Sequence, residues 1–270
     1  MSAGVAVMRA FVRRDLAITR SYRLALAAQA AGTMLALFVA FHVSRLIAPA
    51  GFQEKVGLDT SYFDWVVIGL AVQRIVHAAV VTPPLKLRNE QNIGTFEALI
   101  ATPTSPEALL MAGAVYEVAL ALAEAVIVIV LAVVFFGFHM SAGPLDLLAV
   151  AAGVAGTVGC FLAAGVLLAA LGVVVKQIGG LAMLVPTLVG VIGGVYFPIG
   201  LMPPGLHALA KLLPINWGLD VIRNALLGGS IPGGELAALL ATAAGGLLVS
   251  ALALRLAVDR ARSAGTLAHY

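Results

Sequence analysis

The stretch Ala125-Val126-Ile127-Val128-Ile129-Val130-Leu131-Ala132-Val133-Val134-Phe135-Phe136 contains no polar side chain. A run so rich in Val and Ile is tolerated only by a membrane or a deep core, and the composition around it selects the membrane. Of 270 residues, 61% are hydrophobic and 11% charged, against roughly 45–50% and about 25% in soluble domains. Mean hydropathy is +1.06. So few charges cannot cover the surface of a soluble protein of this length. The 16 Lys and Arg leave a net charge of +3. They are too few and too scattered for a nucleic-acid surface. The single cysteine, Cys160, lies in an apolar run, which excludes disulfides within the chain and thiolate metal clusters.

A bilayer core about 30 Å thick needs about 20 apolar residues per helix. Working outward from the opening stretch, six such runs occur, at residues 24–47, 65–82, 108–138, 145–175, 178–197 and 236–258. The second is stopped by Pro83-Pro84, and Lys176-Gln177 makes a tight turn between the fourth and fifth. The apolar run near the N-terminus is too long for the core of a signal peptide, and no small-x-small site follows it, so it reads as a retained first span. The expected fold is an all-α polytopic membrane protein, one transmembrane domain over residues 1–270.

Basic residues in short loops set the orientation. Arg9, Arg13, Arg14, Arg20, Arg23, Lys86, Arg88, Lys176, Arg255, Arg260 and Arg262 fall on one side; Arg45, Lys55, Lys211 and Arg223 fall on the other. Both termini are therefore expected in the cytoplasm.

Three segments between spans carry information. In residues 5–23, Val5, Met8, Phe11, Val12 and Leu16 recur at helical spacing opposite Arg9, Arg13 and Arg20. This fits a helix lying in the interface, or an ordinary positive-inside flank. Residues 86–103 read as a short amphipathic helix between Pro84 and Pro103, with Ile93, Phe96, Leu99 and Ile100 on one face and Glu90 and Glu97 on another. Its apolar face needs a cover, either the membrane surface or a cytoplasmic protein. Thr104-Ser105-Pro106-Glu107 then starts the next helix. Residues 198–235 are too apolar for a free loop and too broken by proline and glycine for a span. Two helical pieces, Gly205–Leu213 and Trp217–Leu227, fit a re-entrant excursion. Asp220 and Arg223 are spaced for an ion pair.

The segment Gly94-Thr95-Phe96-Glu97-Ala98-Leu99-Ile100-Ala101-Thr102-Pro103-Thr104-Ser105 resembles the signature of permease subunits of type-2 ATP-binding-cassette exporters. Residues 193–229 resemble that family's second hallmark, with a Gly-rich span end, Phe197-Pro198, a proline-broken excursion, then Leu213-Pro214 and Arg223 before Leu226-Leu227-Gly228-Gly229. The resemblance covers essentially the whole chain. It implies a subunit of the bacterial plasma membrane that pairs with a second permease subunit, identical or related. It also implies a separate cytoplasmic ATPase, which would carry ATP and Mg. Glu90, Gly94, Thr95, Phe96, Glu97, Leu99 and Pro103, with the interfacial Arg9, Arg13 and Arg14, would form the dock. The implied cargo is a hydrophobic or amphiphilic drug, antibiotic, lipid or lipid-linked glycan.

No cofactor is expected in this chain. A P-loop needs Gly-Lys-[Ser/Thr], whereas Lys55, Lys86, Lys176 and Lys211 follow Glu54, Leu85, Val175 and Ala210. Catalytic and metal sites are not expected either. His42, His77, His139, His207 and His269 are dispersed. Gly228-Gly229-Ser230-Ile231 lies outside the spans and lacks the pattern of an intramembrane serine protease. Polar residues inside spans each cost about 2.5–3.5 kcal/mol at mid-membrane, and they mark the remaining candidates: Gln73, Arg74 and His77 in the second span, Glu117 and Glu124 in the third. Arg74 and Glu124 are expected at similar depth as an ion pair, either clamping two helices or lining a substrate path. A self-contained channel or secondary transporter using these charges is the alternative. Gly153, Gly156, Gly159, Gly165 and Gly172 are expected to let helices approach the fourth span closely.

Overall fold

The computed structural model describes residues 23–93, 106–175 and 178–263. All regular structure among them is helical: α1 (Arg23–Ser44), α2 (Pro49–Val56), α3 (Tyr62–Ile93), α4 (Pro106–Phe136), α5 (Pro144–Val175), α6 (Gly179–Ile192), a 3-10 turn (Ile199–Leu201), α7 (Pro204–Leu212), α8 (Pro214–Leu227) and α9 (Gly233–Ser263). Five segments, Ala27–Ser44, Tyr62–Asn92, Gly113–Phe136, Pro144–Val175 and Gly233–Ala261, are long and apolar enough to cross a membrane. The run at 178–197 forms only the 14-residue α6, because the chain turns at Gly193 and Gly194, the latter at φ 83°.

Burial divides centre from periphery. Of the membrane-length windows, 67% of that in α3 and 61% of that in α5 is buried, against 17%, 28% and 17% in α1, α4 and α9. Helix α5 packs on α3, α8 and α9, and α3 also packs on α1, α4 and α6. The opening stretch lies in α4 and obeys this division. Ala125, Val128 and Ala132 face inward at helical spacing, while Val126, Val130, Val134 and Phe135 are exposed on an apolar face suited to lipid. The glycines of α5 meet neighbours closely. A Cβ at Gly153 would lie 3.0 Å from Val221 of α8, and one at Gly156 or Gly159 would lie 2.8 Å from Leu239 or Ala243 of α9.

The expected stop at Pro83-Pro84 is corrected. Helix α3 runs through both prolines to Ile93, so the first part of the expected 86–103 helix is the end of α3. A proline inside a helix lacks the N–H that would bond the carbonyl four residues back. Here those carbonyls, of Ala79 and Val80, lie against Gly165 of α5, where a Cβ would collide with Ala79 O and sit 2.9 Å from Val80 O. The glycine backbone fills the space beside the interrupted ladder, and the helix continues. The interfacial helix expected at residues 5–23, the motif at 94–105 and the turn at 176–177 lie outside the described residues, apart from Arg23, which opens α1.

Helices form at both pieces expected within residues 198–235, as α7 and α8, with shifted bounds: α8 begins at Pro214 rather than Trp217. Proline is well placed there, because the first turn of a helix needs no N–H. The indole of Trp217 donates to Lys211 O at 2.9 Å and fixes the angle between α7 and α8.

Candidate intramembrane polar site

The second span's polar residues fall on one side of α3, and the structure brings Gln73, Arg74 and His77 to a single cavity of 360 Å³. Thr33 of α1, Thr187 of α6 and Tyr196 complete its polar wall, against Leu37, Leu70 and Val128. At 1.5 Å per residue, Arg74 lies about 18 Å along α3 from Tyr62, well inside the apolar length of the helix.

Neighbouring helices position Gln73 and Arg74. Gln73 donates its amide to Pro186 O of α6 at 2.8 Å. Its Oε1 is buried with no hydrogen-bond partner among the described residues. Gly190 makes this contact sterically possible, since a Cβ there would lie 2.7 Å from the amide. The Arg74 guanidinium donates to Thr33 Oγ1 at 3.1 Å, and Thr33 in turn donates to Gln29 O at 3.0 Å.

The expected Arg74–Glu124 ion pair is replaced by a relay through α1. Gln29 Nε2 donates to Glu124 Oε1 at 2.6 Å, so α1 holds the arginine with Thr33 and the glutamate with Gln29. The signal for these partners was a Gln and a Thr four residues apart in an otherwise apolar run, a spacing that places both on one helix face. Thr187 and Tyr196 carried no comparable signal.

Glu117 belongs to a different place. It pairs with Lys86 Nζ at 3.4 Å, in a 520 Å³ cavity near the end of α3 that Arg88, Asn89 and Asn92 also line.

At the opposite end of α3, Arg223 is 3% exposed. Asp220 favours its charge, as their spacing leads one to expect, but the guanidinium makes its hydrogen bonds elsewhere, to the backbone carbonyls of Trp65 (3.2 Å), Gly194 (3.1 Å) and Val195 (3.3 Å). It also stacks on the Trp65 ring, 3.3 Å from the centroid. Carbonyls left exposed where α6 breaks offer a rigid set of acceptors that suits the guanidinium fork better than one carboxylate. Asp220 instead accepts from Asn216 Nδ2 at 3.1 Å. Phe197 and Pro198 line an apolar 530 Å³ chamber with Phe52 and Tyr62, and Tyr62 donates its hydroxyl to Tyr196 O at 2.9 Å.

Of the residues expected to engage a partner, Glu90 lies in the last turns of α3. Arg9, Arg13, Arg14, Gly94, Thr95, Phe96, Glu97, Leu99 and Pro103 lie outside the described residues. The family model of the ABC-2 type transporter matches residues 7–227, which include the first sequence hallmark, the second as far as Leu227, the polar cavity and the Arg223 contacts. The chain belongs to the ABC-2 transporter family. A comparison with curated protein sequences returns no match. This ABC-2 permease is thus the membrane component of a transporter, and permeases of the family generally work with an ATPase partner.

In the permease, the contacts of α1 predict the outcome of a mutant cycle. Reversing both charges, as Arg74→Glu with Glu124→Arg, is expected not to restore the stability lost in either single variant. A Gln29→Ala and Glu124→Ala cycle is expected to show a coupling of about 0.5–3 kcal/mol, as found between residues in direct contact. Thermal unfolding of the purified variants in detergent reads both results. Full rescue by the double reversal would mean that the two charges pair directly.

Proposed function

We propose that this permease moves a hydrophobic or amphiphilic cargo outward across a bacterial plasma membrane, driven by a separate cytoplasmic ATPase that binds ATP and Mg. Two permease subunits, identical or related, pair, and the cargo passes along their interface. Each chain crosses six times with both termini in the cytoplasm. The short α6 makes the fifth crossing, and α7 and α8 form a re-entrant excursion before the last. The observation that carries this reading is the cavity holding Gln73, Arg74 and His77 within otherwise apolar helices. Polar groups are expensive at that depth, and a cavity there gives cargo a place to shed water while it crosses.

Energy reaches the membrane through the segment 86–103. Phe96 and Leu99 anchor it on the ATPase, with Glu90 and Glu97 as charged contacts. The test is co-purification of the tagged full chain with an ATPase, followed by ATPase assays in proteoliposomes. Wild-type permease is expected to retain the ATPase and to change its turnover. The Phe96→Ala, Glu97→Lys double variant is expected to lose about tenfold or more of that coupling, the equivalent of ~1.4 kcal/mol, with its unfolding temperature unchanged. Transport that persists without ATP and follows an ion gradient would overturn the proposal in favour of a self-contained secondary transporter.

A further inference from the structure

The charge that the polar cavity presents has a definite sign. Arg74 lines it, and no Asp or Glu does among the described residues. The acid expected at that depth, Glu124, is drawn aside by Gln29 at 2.6 Å and is absent from the cavity wall. Among the described residues, Arg74 makes one side-chain hydrogen bond, to the neutral Thr33 hydroxyl. A guanidinium carries five N–H donors in a planar fork, so most of its donor capacity is not met by the described residues.

A cation kept at this depth without a carboxylate beside it is costly, and an anionic group on a ligand would offset that cost. Guanidinium groups recognise carboxylates and phosphates through paired, charge-assisted hydrogen bonds. His77 stands one turn further along α3 in the same wall and adds a second donor or acceptor. The remaining surface is apolar, from Ala36, Leu37, Leu70 and Val128. An acidic group attached to an apolar body matches both parts. A cationic amphiphile meets an unscreened like charge, which selects against it.

We propose that this cavity recognises the acidic group of an anionic amphiphile, held by the Arg74 guanidinium, and that the cargo of the permease belongs to this class. The inference rests on the reading of the chain as a permease, and it names the cargo chemistry of that same site. Arg74 contacts the ligand, and Thr33 positions Arg74.

The test uses the full chain in nanodiscs of zwitterionic phosphatidylcholine, so that no lipid carries competing net charge. Three fluorescent probes share one dansyl-labelled undecyl chain and end in a carboxylate, a hydroxyl or a trimethylammonium group. The wild-type protein is expected to bind the carboxylate probe about tenfold or more tightly than the hydroxyl probe and the trimethylammonium probe weakest of all. The Arg74→Gln variant is expected to lose the carboxylate preference while keeping its affinity for the hydroxyl probe. Arg74→Lys is expected to restore part of it. Inorganic phosphate at millimolar concentration is expected not to displace the carboxylate probe, because it lacks the apolar body.

Equal or tighter binding of the trimethylammonium probe would overturn the proposal, as would a carboxylate preference that survives in Arg74→Gln. Displacement by inorganic phosphate would reduce the site to one for free anions and would equally overturn it. If Arg74→Gln fails to fold, the ranking of the three probes on the wild-type protein decides alone. A charge preference without ATPase association leaves this inference standing and removes the permease mechanism. ATPase coupling without the preference does the reverse.

Discussion

Replacing Arg223 with alanine is expected to lower the stability of the folded protein by at least ~4 kcal/mol, seen as a large drop in unfolding temperature in detergent. The guanidinium is buried and serves the carbonyls of Trp65, Gly194 and Val195 at once. A buried acceptor that loses its partner costs about 1–3 kcal/mol, and the stacked contact with Trp65 is worth about 2 kcal/mol when water is excluded. Arg223→Lys is expected to recover only part of the loss, since one ammonium group cannot reach three acceptors in a plane as the fork does. Asp220→Asn is expected to be milder, because its carboxylate bonds Asn216 and acts on the arginine through its charge alone, without a hydrogen bond to it. If Arg223→Ala unfolds at the wild-type temperature, the carbonyls have found water, and the arginine is not what holds the end of α6 to the start of α3.

The second large effect is expected at Gly165. A Cβ there would collide with Ala79 O, sit 2.9 Å from Val80 O and touch Pro83 at 3.1 Å. The first two are backbone atoms of a packed helix, so they cannot swing aside as a long side chain would. Overpacking of this kind costs about 1–3 kcal/mol even for one added methyl. Gly165→Ala is expected to fall in that range, and Gly165→Leu is expected to abolish monodisperse protein in size-exclusion chromatography. Gly180→Ala and Gly245→Ala supply the contrast. A Cβ at either position meets nothing within 4 Å, and each change is expected to stay within about 0.5 kcal/mol.

Apolar run length was enough to place α1, α4, α5 and α9, because burial in a bilayer demands the same property of every residue in the run. It failed at Pro83-Pro84 for a specific reason. Whether a proline ends a helix depends on what fills the space beside its freed carbonyls, and here that is Gly165, some eighty positions away in the chain. The run at 178–197 is long enough for a span, yet Gly193 and Gly194 turn the backbone and leave α6 shorter.

The site was legible as a set of residues but not as a set of contacts. Gln73, Arg74 and His77 announced themselves by their expense in an apolar helix. Spacing also offered Glu124 as the natural partner of Arg74, because opposite charges at one depth attract. The structure instead gives each charged group one hydrogen bond to a neutral side chain of α1, whose Gln29 and Thr33 drew no notice in a run read for its hydrophobicity. Arg223 shows the same limit from another side. Its acceptors are backbone carbonyls, which every residue carries, so no residue type could point to them.

The unbroken course of α3 from Tyr62 to Ile93 has a mechanical meaning. A push applied at Ile93 would meet no break in the helix before Gln73 and Arg74, although Pro83 and Pro84 remove two backbone hydrogen bonds on the way. Arg223 anchors the far end through Trp65, and Gly165 bears on the middle at Ala79 and Val80. A beam held at one end and resting on a fulcrum can tilt but cannot slide. The contacts that such a tilt strains first are those on its flank, the amide of Gln73 against Pro186 and the guanidinium of Arg74 against Thr33.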